Sequence, residues 1–153
     1  RRHRVRRTLL LLLMLPALAA CPRSNRGPMV GAPDARAALD GFLNGVRAQD
    51  LQVISNYWGN AQGPARDRLD RAELEKRELT MACYLAHDRV RVLDDAPRAG
   101  SRHTFTVELS YGTTVRTTEI VTVKGPSDRW YVENADIRQT QALCEARSRK
   151  TGS

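Results

Sequence analysis

His87-Asp88 sets an imidazole beside a carboxylate, the two groups from which a general base is built. Neighbouring residues at a helix end point in different directions, and the helix dipole already favours a histidine there. The pair therefore reads as structural, and no residue is given a catalytic role. Tyr57, Trp58, Trp130 and Tyr131 could wall an apolar pocket. Aromatic residues make up only 5% of the chain, which favours using these four as core anchors. Tyr57, Trp58, His87 and Trp130 are retained as pocket candidates. Asp94-Asp95 has no further carboxylate at calcium-loop spacing and reads as a turn. Ser55, Ser101 and Ser110 lack the glycine-flanked elbow of a hydrolase nucleophile. The three histidines, His3, His87 and His103, show no ligand spacing, so neither a metal nor a cofactor is expected.

The remaining chemistry belongs to cysteine. Cys21 follows a basic stretch with five arginines in its first seven residues and an uncharged run from Thr8 to Ala20. That order reads as a signal peptide over residues 1–20. A spanning helix needs about 20 apolar residues. This run is shorter, is broken by Pro16, and is soon followed by Arg23 and Arg26. Leu18-Ala19-Ala20-Cys21 resembles the lipobox of bacterial lipoproteins at all four positions. The resemblance implies diacylation of the Cys21 thiol, cleavage before it, and acylation of the new amino terminus. Two or three acyl chains anchor stably where one does not. The alternative is an ordinary secretory signal cut at the same small residues. The expected location is the bacterial cell envelope, the chain lipid-anchored to a membrane and its domain outside the cytoplasm, as in a periplasm.

A lipidated Cys21 leaves Cys83 and Cys144 in an oxidising compartment, where a disulfide between them is expected and two separate buried thiols are the alternative. The charge argument changes as well. The formal net charge is +8, but five arginines lie in the signal, so the rest carries +3. Its basic residues are interleaved with acids, as in Arg66-Asp67-Arg68-Leu69-Asp70-Arg71, which removes the case for nucleic-acid binding. Residues 21–33 read as the lipidated cysteine and a flexible tether, rich in proline and glycine. Residues 34–145 read as a single α+β domain, and 146–153 as a basic disordered tail.

Within the domain, Asp34 is placed to cap a helix running to Arg47, with Ala38, Leu39, Phe42, Leu43 and Val46 on one face. Asp50 opens a short second helix. A third helical region spans about 64–86, with an Asp70-to-Glu73 capping box and an interruption near Leu69. Leu74, Met81 and Leu85 fall on its inner side, and the charged run Glu75 to Glu78 is expected mostly to face water. A period of two follows. Val90 and Val92 alternate with arginines before a turn at Asp94-Asp95-Ala96-Pro97. Phe105, Val107 and Leu109 then mark one face of a strand that turns at Tyr111-Gly112. Its partner spans 113–123, with Val115, Val121 and Val123 on one face and Ile120 on the other, so both faces are expected to be partly covered. After a turn at 124–128 comes a last strand with Trp130 and Val132 on one face, then a short helix carrying Cys144.

This order resembles the nuclear transport factor 2-like superfamily. The residues that carry the likeness are Ala38-Leu39, Phe42, Val46 to Leu51, Tyr57-Trp58 and Asp128 to Val132. The resemblance covers about residues 34–137 and implies an α+β cone, with N-terminal helices packed on a curved antiparallel β-sheet. The segment after Ile137 departs from the simplest pattern and would plug or clasp the cone. The superfamily includes isomerases, dehydratases, binders and domains without chemistry, and fold alone does not choose among them. The expected function is a membrane-tethered domain that binds a protein partner or a small apolar ligand. The alternative is a small isomerase or hydratase-type enzyme working inside the cone.

Overall fold

The computed structural model describes residues 30–152. The signal peptide, Cys21 and most of the expected tether lie outside the described residues. The tether's last residues do not hang free. Ala32 bridges to Trp130, the Gly31 amide donates to the Asn56 carbonyl, and Arg129 reaches the carbonyls of Val30 and Gly31. Gly31 takes φ 74° with the Tyr131 ring so close that a Cβ would lie 2.8 Å from its Cζ, a position only glycine fills.

Each of the first helices opens on an aspartate. Asp34 accepts from the Ala37 amide at the start of α1 (Ala35–Ala48), and Asp50 accepts from the Gln52 and Val53 amides at the start of α2 (Leu51–Tyr57). These bonds satisfy amides that a first turn leaves without partners. The two helices lie close because of two glycines on α1. A Cβ at Gly41 would sit 2.4 Å from the Tyr57 ring, and one at Gly45 would sit 2.9 Å from the Ile54 nitrogen. Two very short strands, β1 (Gly59–Asn60) and β2 (Gly63–Pro64), pair as a hairpin, and a single 3-10 turn (Ala65–Asp67) leads to α3 (Arg71–Tyr84). Asp70 caps α3 through the Ala72 and Glu73 amides, while the Glu73 side chain turns to Arg77, so only half of the capping box forms. The Gln49 side chain ties α1 to α3 by donating to the Val46 and Ala82 carbonyls.

The second half is a four-stranded antiparallel meander of β3 (Arg89–Arg98), β4 (Arg102–Tyr111), β5 (Thr114–Lys124) and β6 (Trp130–Ala135). With the helices it makes an α+β domain, as the patterning predicts. The core lies between α1, α2, α3 and the face of the sheet carrying Phe105, Val107, Leu109, Ile120 and Val132. Phe42, Leu39, Ile54, Leu85 and Leu143 fill it with full burial.

Four expectations are corrected. Asp94 to Pro97 do not turn the chain: β3 continues through them, with a bulge between Val92 and Asp94, and reverses only at residues 99–101. As the edge strand it is exposed along nearly its whole length, where turn-forming residues and a proline are tolerated. The Tyr111-Gly112 turn moves on by one residue. Tyr111 still pairs with Thr114, and Gly112 opens the two-residue loop at φ 56°. In β5 both faces are partly covered, as expected, with Thr118, Ile120 and Thr122 on the core face and Ile120 opposite Phe105, but Val115 is not among the covered residues. On the opposite face Val115 is 44% exposed while Val123 is fully buried, so that face is covered only at one end; the bulge in the β5–β6 pairing lies at Glu133 of β6. Finally, residues 146–151 are not a disordered tail but the end of α4 (Gln141–Thr151). The Ser148 hydroxyl donates to the Cys144 carbonyl, Lys150 stands over the Tyr111 ring, and basic residues suit a helix C-terminus.

Cys83 in α3 and Cys144 in α4 are joined by a disulfide across a Cα separation of 4.7 Å. Together with buried Leu143, this bond clasps α4 onto the domain.

Candidate functional site

Trp58 stands at the end of α2, where its amide still closes the helix on the Ile54 carbonyl and its own backbone bridges Val132. From there it forms one wall of an open recess of about 390 Å³. Met81, Ala135 and Ile137 give that recess an apolar floor; Lys76, Arg77 and Thr80 on α3 and Glu133 and Asn134 on β6 give it a polar rim. Much of the rim is already engaged. Arg77 donates to Glu73 at 2.6 Å, Thr80 donates to the Lys76 carbonyl, and Glu133 accepts a two-point bond from Arg102 at 2.6 and 2.9 Å. An apolar floor with a few oriented polar groups is the form of a binding recess rather than of an acid–base centre.

Of the pocket candidates, only Trp58 lines this recess. Tyr57 packs over Gly41. Trp130 is half-buried at the start of β6, held by the Ala32 bridge, with the Lys124 ammonium 5.9 Å from its ring centre. His87 is buried, and its Nδ1 donates to the Leu85 carbonyl at 2.9 Å. Burial pushes the His87 pKa down, only partly offset by that bond, so the ring is held neutral. Asp88 looks elsewhere and accepts from the Gly112 amide at 2.9 Å. The His87-Asp88 pair thus ties α3 and the β4–β5 turn together and does not converge on a site.

The residue that sequence reading misplaced is Glu78. It does not face water; it is 4% exposed, on the side of α3 turned toward α2. Its Oε1 is buried and, among the described residues, has no hydrogen-bond partner. Burial raises its pKa above the ordinary 4.5, Ser55 partly counters that, Glu75 adds to it and Arg66 subtracts. A signal for it exists. Position 78 lies four residues after Leu74, four before Ala82 and seven before Leu85, so it continues the apolar stripe of the helix. Glu78 lines a second, smaller recess of about 170 Å³ with Leu51 and Gln52 of α2 and Arg71, Leu74 and Glu75 of α3. The two recesses share no residue.

Among the described residues, no group of three or more His, Cys, Asp or Glu side chains is placed to hold a metal ion, and no helix is long and apolar enough to cross a membrane. The chain matches no family model, no curated protein and no solved structure.

Proposed function

We propose that the protein is a bacterial envelope lipoprotein, acylated at Cys21, whose nuclear transport factor 2-like domain binds a partner or a small apolar ligand at the recess beside Trp58. The observation that carries this reading is the Cys83–Cys144 bond. Persistent disulfides belong to oxidising compartments outside the cytoplasm. This is the side of the membrane to which a lipobox sends its cargo. The element order, α1 to α3 followed by a four-stranded meander, supports the superfamily likeness. Trp58, Met81, Ala135 and Ile137 supply the apolar contact surface.

The second reading, a small isomerase or hydratase-type enzyme, has Glu78 on its side, since buried carboxyl groups of raised pKa are the usual currency of proton transfer. It ranks second because Glu78 is not part of the Trp58 recess.

The test is fractionation of cells expressing the wild type and Cys21→Ala, with intact mass of the detergent-extracted protein. Wild type is expected in the membrane fraction with a diacylglyceryl mass on Cys21, and Cys21→Ala is expected to be soluble or unprocessed. Equal membrane association of the two, with no lipid mass, would refute the anchor.

A further inference from the structure

We propose that the protein forms a homodimer by pairing the outer edge of β3 with the same edge of a second copy, antiparallel, so that two four-stranded sheets become one of eight strands. β3 pairs with β4 on one side, and among the described residues no strand covers its other edge. Such an edge is a template for another strand. The side chains say which strand fits it. Along β3 the sign of charge reverses: Arg89 and Arg91 stand in the first half, Asp94 and Asp95 in the second. An antiparallel copy of the same strand sets each of these halves against one of opposite sign.

The bulge at Leu93 selects the register. Arg91 lies opposite Glu108 and Asp94 opposite Thr106. Glu108 and Thr106 share a face of β4, so Arg91 and Asp94 share a face of β3 although they are three residues apart. In an unbroken strand they would point to opposite faces. Residues that meet across two strands of one sheet lie on the same face, so Arg91 of one copy fits opposite Asp94 of the other, twice over by symmetry. Asp94 makes no ion pair among the described residues, and Arg91 has only an exposed one with Glu108 at 3.2 Å. The same register pairs Arg89 with Ala96, Val90 with Asp95, and Val92 with Leu93, which is 46% exposed in the single chain. Pro97, which has no N–H to offer, falls outside the paired stretch of 89–96. β6 is the opposite edge of the sheet, so the dimer leaves the Trp58 recess of each copy open and presents the two together.

The experiment is sedimentation equilibrium of the full chain in density-matched detergent over a wide concentration range. Wild type is expected as a dimer that dissociates on dilution, because one strand pair is a small interface. Arg91→Asp sets like charges opposite each other at two places, and so does Asp94→Arg; each should weaken the dimer about tenfold or more. The double variant Arg91→Asp/Asp94→Arg restores opposite signs and should recover it. Both positions are exposed, so urea midpoints should stay close to that of wild type. Amide hydrogen exchange of the wild type needs no variant: protection along β3 should rise with protein concentration. A monomer at every concentration, a dimer indifferent to both single changes, a folded double variant that does not recover, or β3 protection independent of concentration would each overturn the proposal.

Discussion

Glu78→Gln is expected to make the domain more stable at neutral pH, although it alters a residue that is only 4% exposed. Gln keeps the shape of Glu and removes the charge. In the wild type the carboxylate is desolvated between α2 and α3 with Oε1 unpartnered, and only Ser55 and the field of Arg66 offset that cost. Leaving a buried polar group unsatisfied costs about 1–3 kcal/mol, more when it is charged. After the offsets, a gain of about 1–2 kcal/mol is expected, or roughly 3–8 °C in Tm for a domain of this size. The pH dependence fixes the cause. An unfolded Glu78 titrates near the ordinary 4.5, whereas the folded one holds its proton to higher pH. The folded state therefore binds more protons between the two values, and wild-type stability falls as pH rises through that window and then levels off. Below the unfolded value both forms are neutral and the variant gains nothing. Calorimetry of both proteins should thus show a Tm difference near zero at about pH 3.5 that grows as pH rises through the folded titration of Glu78 and then levels off. Glu78→Met should show a similar plateau. A difference that does not change with pH, or a Glu78→Gln protein less stable than wild type at neutral pH, would refute the reasoning.

Two further outcomes concern how the helices are held. Reducing the Cys83–Cys144 bond, which joins residues 61 apart, should cost about 4 kcal/mol in the chain-entropy picture. Urea unfolding with and without reductant measures this, and an unchanged midpoint would count against it. Gly41→Ala should destabilise despite the better helix propensity of alanine. The new Cβ would meet the Tyr57 ring at 2.4 Å, and overpacking of about 1–3 kcal/mol outweighs a propensity gain of about 1 kcal/mol. The same change in a Tyr57→Leu background should recover most of the loss; a net gain in the wild-type background would show that α2 gives way freely.

What the sequence made legible was whatever rests on local chemistry. Asp34, Asp50 and Asp70 announce three helix starts because an N-cap needs only its own next few amides. Phe105, Val107 and Leu109 announce β4 because it is an inner strand with one face on the core. Legibility fails where a neighbour decides. Asp94 to Pro97 carry turn chemistry, yet an edge strand makes so few demands on side chains that β3 runs through them. The bulge at Glu133 of β6 is set by how that strand pairs with β5, and no alternation within β6 reports it. The aromatic candidates scattered for the same reason. Tyr57 was drawn to the gap left by Gly41 and Trp130 to the Ala32 bridge, leaving Trp58 alone at the recess.

Glu78 shows most clearly how a conflict between two readings becomes informative. Composition places it in a solvated charged run, while helical period places it on the buried stripe between Leu74 and Ala82. Burial of the helix face won, since α3 is pinned by the Cys83–Cys144 bond, the Gln49 link and Leu85 in the core, and cannot rotate to release one side chain. A residue that contradicts its setting at a cost in stability is where a folded chain departs from local consistency, and such departures gather at functional sites.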